Sequence, residues 1–203
     1  MNRRDWFAFD RTDRWGFGLL LALVVVVTAA TRVVAPIIEW VRGEDLAVPF
    51  FSDVDIPALA AAGLGHSQAS YSLLIPDASG RQRWLDLLPG VGYGVLVCAV
   101  VWLLFRLMVD IGRGEPFAPG NVRRLRLLAG VLLVGWTVLY FVEATCSLAI
   151  LDQVDLQAAG VEGGPRAVLS LPIAPFIAGM AVALVAEAFK AGSRLKDDVE
   201  GLV

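Results

Sequence analysis

"LLPGVGYGVLVCAVVWLLF", residues 87–105, runs 19 positions without a charge. As an α-helix it would be ~28 Å long at 1.5 Å per residue, close to the ~30 Å hydrocarbon core of a bilayer. Three more runs share the pattern. "WGFGLLLALVVVVTAATRVVAPII" (15–38) is interrupted only by Arg32, and "LLAGVLLVGWTVLYFVEATCSLAIL" (127–151) only by Glu143; "AVLSLPIAPFIAGMAVALVA" (167–186) is uncharged. A soluble domain could bury one such helix. Four in 203 residues leave too little amphipathic chain to cover them. The composition agrees: 57% of residues are hydrophobic and the mean hydropathy is +0.68, above an ordinary globular domain. The fold class this implies is an all-α membrane protein of four transmembrane helices in one domain, with spans near 16–38, 88–109, 123–150 and 172–191. The first run follows Arg3 and Arg4, as a signal peptide would. It carries Asp5, Asp10 and Asp13 before it and is longer than a signal core, so it reads as a retained span.

Sidedness follows from basic residues in the flanks. Arg3, Arg4, Arg11 and Arg14 precede the first run. Arg106, Arg113, Arg123, Arg124 and Arg126 lie between the second and third, and Lys190, Arg194 and Lys196 follow the fourth. The opposite flanks hold only Arg42, Arg81, Arg83 and Arg166. Both termini and the 106–126 loop are therefore expected on the cytoplasmic side. Segments 40–86 and 152–171 are then an extracytoplasmic cap. Within it, "DLAVPFFS" (45–52), "SYSLLIP" (70–76) and "RAVLSLP" (166–172) have the content of short β-strands. "IPALAAAGLG" (56–65) reads as a short helix, and Ser79 as the cap of an amphipathic helix that leads into the second span.

Chemistry is poorly supplied. No HExxH, GxSxG or GxxxxGK[ST] motif occurs, no close acidic pair lies inside a span, and no CxxC binds metal. Cys98 and Cys146 both sit in apolar runs and His66 is the sole histidine. Asp53 and Asp55 read as solvated loop carboxylates. No enzyme activity, cofactor or metal is expected, and the formal charge of −3 does not argue for direct nucleic-acid binding.

Inside the spans, Arg32 and Glu143 lie at matching depth. Each is 17 or 18 residues beyond a basic residue at the inner face, roughly 26 Å along the helix. An Arg32–Glu143 ion pair and separate snorkelling to the headgroups are both compatible with that depth. Trp136, Tyr140, Glu143 and Ser147 share one helical face, fit for packing or for lining a pocket. Gly90 with Gly94, and Gly179 with Ala183, form small-xxx-small steps that permit close helix approach.

Between the second and third spans stands "GEPFAPGNVRRLR" (114–126). Its prolines break helix, and Asn121 is expected to cap the third span. Phe117 is an apolar residue on a turn. Arg123, Arg124 and Arg126 oppose the helix dipole, a cost that anionic headgroups would offset. At the other end of the chain, Glu187 is within reach of Lys190 one turn on, and of the loop arginines.

This stretch resembles the G-x-PF-x-x-x-N-x-x-RLR signature of the bacterial domain-of-unknown-function 2975 family, through Gly114, Pro116, Phe117, Asn121, Arg124, Leu125 and Arg126. The tail "LVAEAFKAGSRLKDDVEGLV" (184–203) resembles that family's close, through Ala186, Glu187, Phe189, Gly192 and Leu195. The resemblance implies a four-span protein of the bacterial cytoplasmic (inner) membrane without an assigned reaction. It also implies a possible partner, because the family's genes often neighbour a small helix-turn-helix transcriptional regulator. Gly114, Pro116, Phe117, Asn121, Arg124, Arg126, Glu187 and Phe189 are thus the expected cytoplasmic interaction patch. The expected role is a non-enzymatic sensor or regulatory component of the lipid bilayer. A subunit of an oligomeric transporter or channel, and a structural envelope protein, stay open as alternatives.

Overall fold

A computed structural model describes residues 11–52, 69–113, 117–154 and 173–200. Among these residues six α-helices and two strands follow in order: α1 (Arg11–Ala29), α2 (Ala35–Arg42), β1 (Leu46–Ser52), β2 (Ala69–Ile75), α3 (Gly80–Gly112), α4 (Pro119–Gly130), α5 (Trp136–Leu151) and α6 (Ile173–Glu200). Single π-helical turns, Ala30–Val34 and Val131–Gly135, join α1 to α2 and α4 to α5. Four continuous helical stretches result. Their apolar portions, of 28, 33, 32 and 23 residues, are long and apolar enough to cross a membrane. Trp15, Leu19, Val95, Trp102, Val134 and Leu184 are among many large apolar side chains left exposed along them. A water-soluble surface rarely tolerates that much contiguous apolar area, and the chain has the character of a multi-pass membrane protein.

The boundaries differ from expectation in three places. The amphipathic helix at 79–90 and the second span are one helix, α3, with Pro89 inside it. The cap is a reciprocal one: the Gln82 amide donates to Ser79 Oγ at 3.4 Å, and the Ser79 amide donates to Gln82 Oε1 at 2.8 Å. The third span starts at Pro119, not near Arg123, because Pro119 occupies the first helical turn where a missing amide costs nothing. The fourth helix continues to Glu200.

The chain falls into two compact units. One comprises residues 1–30, 93–137 and 172–203; the other comprises residues 31–92 and 138–171. In the second unit α2 ends at Gly43, whose φ of +69° is the left-handed conformation that glycine adopts without strain. The Gly43 amide donates to Trp40 O and the Glu44 amide to Glu39 O, at 3.1 and 3.0 Å, which turns the chain into β1. β1 and β2 pair antiparallel, with Leu46 opposite Ile75 and Val48 opposite Leu73. Alternation buries Leu46, Val48 and Ile75 against Ile150 and Leu151 of α5 and leaves Ala47 and Leu74 exposed. Each such burial contributes about 1.5–3 kcal/mol. Arg83 of α3, itself buried, donates from Nη2 to the Glu44 carbonyl and ties β1 to the helix. Trp40 and Trp84 meet edge-on at 5.6 Å.

In the first unit α4 and α6 pack along each other. Leu125, Leu128, Ala129 and Ala186 are buried there. Gly179 lets α6 approach closely: a Cβ at that position would lie 2.6 Å from Leu133 Cγ of the π turn. The partner step works only in part. Gly90 sits against the main chain of Arg32, whereas Gly94 faces open space and Gly92 instead accommodates Leu139. The 56–65 helix, the 166–172 strand, Asp53, Asp55 and His66 lie outside the described residues.

Candidate functional site

The 117–126 elbow and the 186–195 stretch of α6 converge in the first unit. Phe117 reaches α6 and meets Phe189, with ring centroids 5.5 Å apart. The same ring covers Gly192, where a Cβ would stand 2.6 Å from Phe117 Cε1. Only glycine leaves that space, which accounts for the residue at 192 in a helix that otherwise disfavours it.

Asn121 is fully buried and is not an N-cap. The cap position is Ala118, which makes no side-chain hydrogen bond, and the Asn121 amide donates to Ala118 O at 2.8 Å. The side chain turns inward instead, where its Oδ1 accepts from Arg124 Nη1 at 2.8 Å. Arg124 also pairs with Asp110 near the end of α3. One guanidinium therefore binds the end of one span to the beginning of the next, and both side chains of that ion pair are mostly buried, at 26% and 19% exposure.

Two residues on, Arg126 Nη2 lies 2.6 Å from Glu187 Oε1 of α6, and Lys190 Nζ lies 3.7 Å from Glu187 Oε2. The arginines at the start of α4 thus do not depend on lipid headgroups alone to offset the helix dipole. Arg124 and Arg126 have carboxylates of the protein itself, Asp110 and Glu187; Arg123 stays exposed. Glu187 is the carboxylate that the sequence places within reach of the loop arginines; Asp110, near the end of α3, is the one it does not single out. Gly114 and Pro116, the remaining members of the expected patch, lie outside the described residues.

The resulting surface carries two layers. Phe117 on Gly192 and Asn121 under Arg124 form a packed floor. Arg126, Glu187 and Lys190 form a charged rim, with half or more of the Arg126 and Glu187 side chains open to solvent.

In the second unit Arg32 Nη1 lies 3.7 Å from Glu143 Oε1, and both side chains stay about half exposed. The shared face of α5 divides its members among different neighbours. Glu143 meets Arg32 in this unit and Tyr140 meets Phe141; in the other unit Trp136 meets Tyr93 edge-on at 5.4 Å. Both cysteines are free thiols, Cys98 exposed and Cys146 buried. Among the described residues no group of three His, Cys, Asp or Glu could hold a metal ion.

The sequence model of one family, described as "Protein of unknown function (DUF2975)", matches residues 67–203. That range contains the elbow, its partner stretch on α6 and the three later spans. No curated protein and no solved structure matches the chain.

Proposed function

The chain belongs to the DUF2975 family of proteins of unknown function, and from that premise we propose that it is a non-enzymatic regulatory component of a membrane, with the joined elbow and α6 surface as the place where a protein partner docks. The observation that carries the reading is the convergence itself. Two stretches more than 60 residues apart, and the most family-like in the sequence, meet through Phe117 with Phe189 and Arg126 with Glu187. The floor fixes the shape and the rim offers charge of both signs. The excess of Lys and Arg around this end supports a cytoplasmic location for it and for both termini. A small helix-turn-helix regulator, suggested by the resemblance, is the partner class to test first.

The test is site-specific photo-crosslinking in intact cells, with the photoreactive residue at exposed position 123 or 195. The expected adduct is a soluble protein with a helix-turn-helix domain, identified by mass spectrometry and lost when Arg126 is changed to Glu. Adducts confined to lipid and to the chain itself would sink the reading.

A further inference from the structure

A cavity of about 180 Å³ lies within the second unit, under the first strand of the hairpin. Val48 and Ile150 supply its apolar wall; Arg32, Asp86, Glu143 and Ser147 supply the polar one. Two helix irregularities border it. Arg32 belongs to a π turn, and Pro89, inside α3, lacks the amide that would otherwise pair with the Leu85 carbonyl. Irregular backbone inside apolar helices is tolerated where it faces a cavity, and there it commonly serves ligands.

The charges do not cancel. Arg32 stands beside Glu143. Asp86 lies in the fields of Glu39, Arg83 and Glu143, and forms no ion pair or hydrogen bond with another described residue. The cavity wall itself carries one guanidinium, Arg32, and two carboxylates, Asp86 and Glu143, and so one excess negative charge. A single positive charge would balance it.

We infer that this cavity binds a small organic monocation, a protonated primary amine whose ammonium sits at Asp86 and whose apolar body lies against Val48 and Ile150. An ammonium has three N–H donors. Asp86 and Ser147 supply side-chain acceptors on the wall, and Leu85, whose carbonyl lacks an amide partner at Pro89, borders it. A bare hard cation fits less well: it takes six to eight oxygen ligands, and two carboxylates with apolar walls do not supply them. The volume also exceeds that of a bare ion, since one water accounts for about 30 Å³ in the liquid. This inference holds whether or not the elbow docks a protein.

Cys146 borders the same cavity, and the chain has one other cysteine, Cys98. The full chain carrying Cys98→Ser, in nanodiscs, is treated with two methanethiosulfonates of equal length, one ending in ammonium and one in sulfonate. Relative to a free thiol, the ammonium reagent should modify Cys146 at least about tenfold faster, as a neighbouring unit charge dictates. n-Butylammonium chloride should protect the thiol, whereas sodium chloride at equal ionic strength and glycine should not. Asp86→Asn should bring the two rates together and abolish protection, and Asp86→Glu should keep both effects. Equal rates, faster sulfonate labelling, or equal protection by sodium or glycine would overturn the inference. Should neither reagent reach Cys146, or Asp86→Asn not fold, titration calorimetry of n-butylammonium into the unaltered protein decides: saturable binding at one per chain supports the site, and no saturable heat overturns it.

Discussion

The carbonyl oxygen of Arg32 rests against the α-carbon of Gly90, and a Cβ at Gly90 would overlap it. The neighbour is main chain, held in a π turn, so it cannot rotate aside as a side chain would. Gly90→Ala is therefore expected to destabilise the protein by roughly 1–3 kcal/mol, in the range of other overpacked sites. Gly94→Ala, with open space at its position, should be neutral or slightly stabilising through helix propensity. Thermal unfolding of both variants in one detergent compares them; equal loss in the two would refute the close-approach account.

Asn121 offers a sharper contrast between two roles. An N-cap tolerates Ser in place of Asn. A buried acceptor for Arg124 does not, because a serine hydroxyl is too short to reach the guanidinium. Asn121→Ser or Ala should lose about 1–3 kcal/mol through the unmet donor of Arg124. Chemical denaturation reads the difference. A stable Asn121→Ser would return the residue to a capping role.

Arg124 and Asp110 form a mostly buried, charge-assisted contact, so their alanine substitutions should not add. A double-mutant cycle is expected to show a coupling of roughly 1–3 kcal/mol. Additive losses would mean that the pair contributes nothing beyond its separate packing.

The Arg32–Glu143 pair is longer and half exposed, and its coupling should be smaller, about 1 kcal/mol or less in the same type of cycle. A coupling above that of Arg124 with Asp110 would show that solvent is excluded there more strongly than the exposure of the two side chains implies.

Much of the fold is legible in the sequence because it depends on pattern. Four apolar runs mark four helices, and the alternation of Leu46, Ala47 and Val48 marks a half-buried strand. Ser79 followed by Gln82 marks a helix start. Equal depth along two helices is enough to make Arg32 and Glu143 candidates for a pair. What is not legible depends on partners distant in sequence. No residue type announces a π turn, so Ala30–Val34 and Val131–Gly135 read as ordinary helix. α3 runs through Pro89 and leaves one carbonyl without its amide. Asn121 carries a capping residue's chemistry but sits inside the first turn of the helix, beneath an arginine. The carboxylates that meet Arg124 and Arg126 come from two other helices. Glu187 is legible as a carboxylate within reach of the loop arginines, whereas nothing local points to Asp110, and for Arg124 lipid headgroups are the nearest explanation.

The contact between Phe117 and Gly192 makes two remote positions a single heritable character. A Cβ at 192 would press on the ring of Phe117, so a larger residue there would shift the ring from its seat. Among relatives the pair should be retained together or replaced together, and a chain that has lost one of them should have a reshaped elbow. A glycine that looks incidental in a helix tail thus becomes a diagnostic letter for which relatives share this surface.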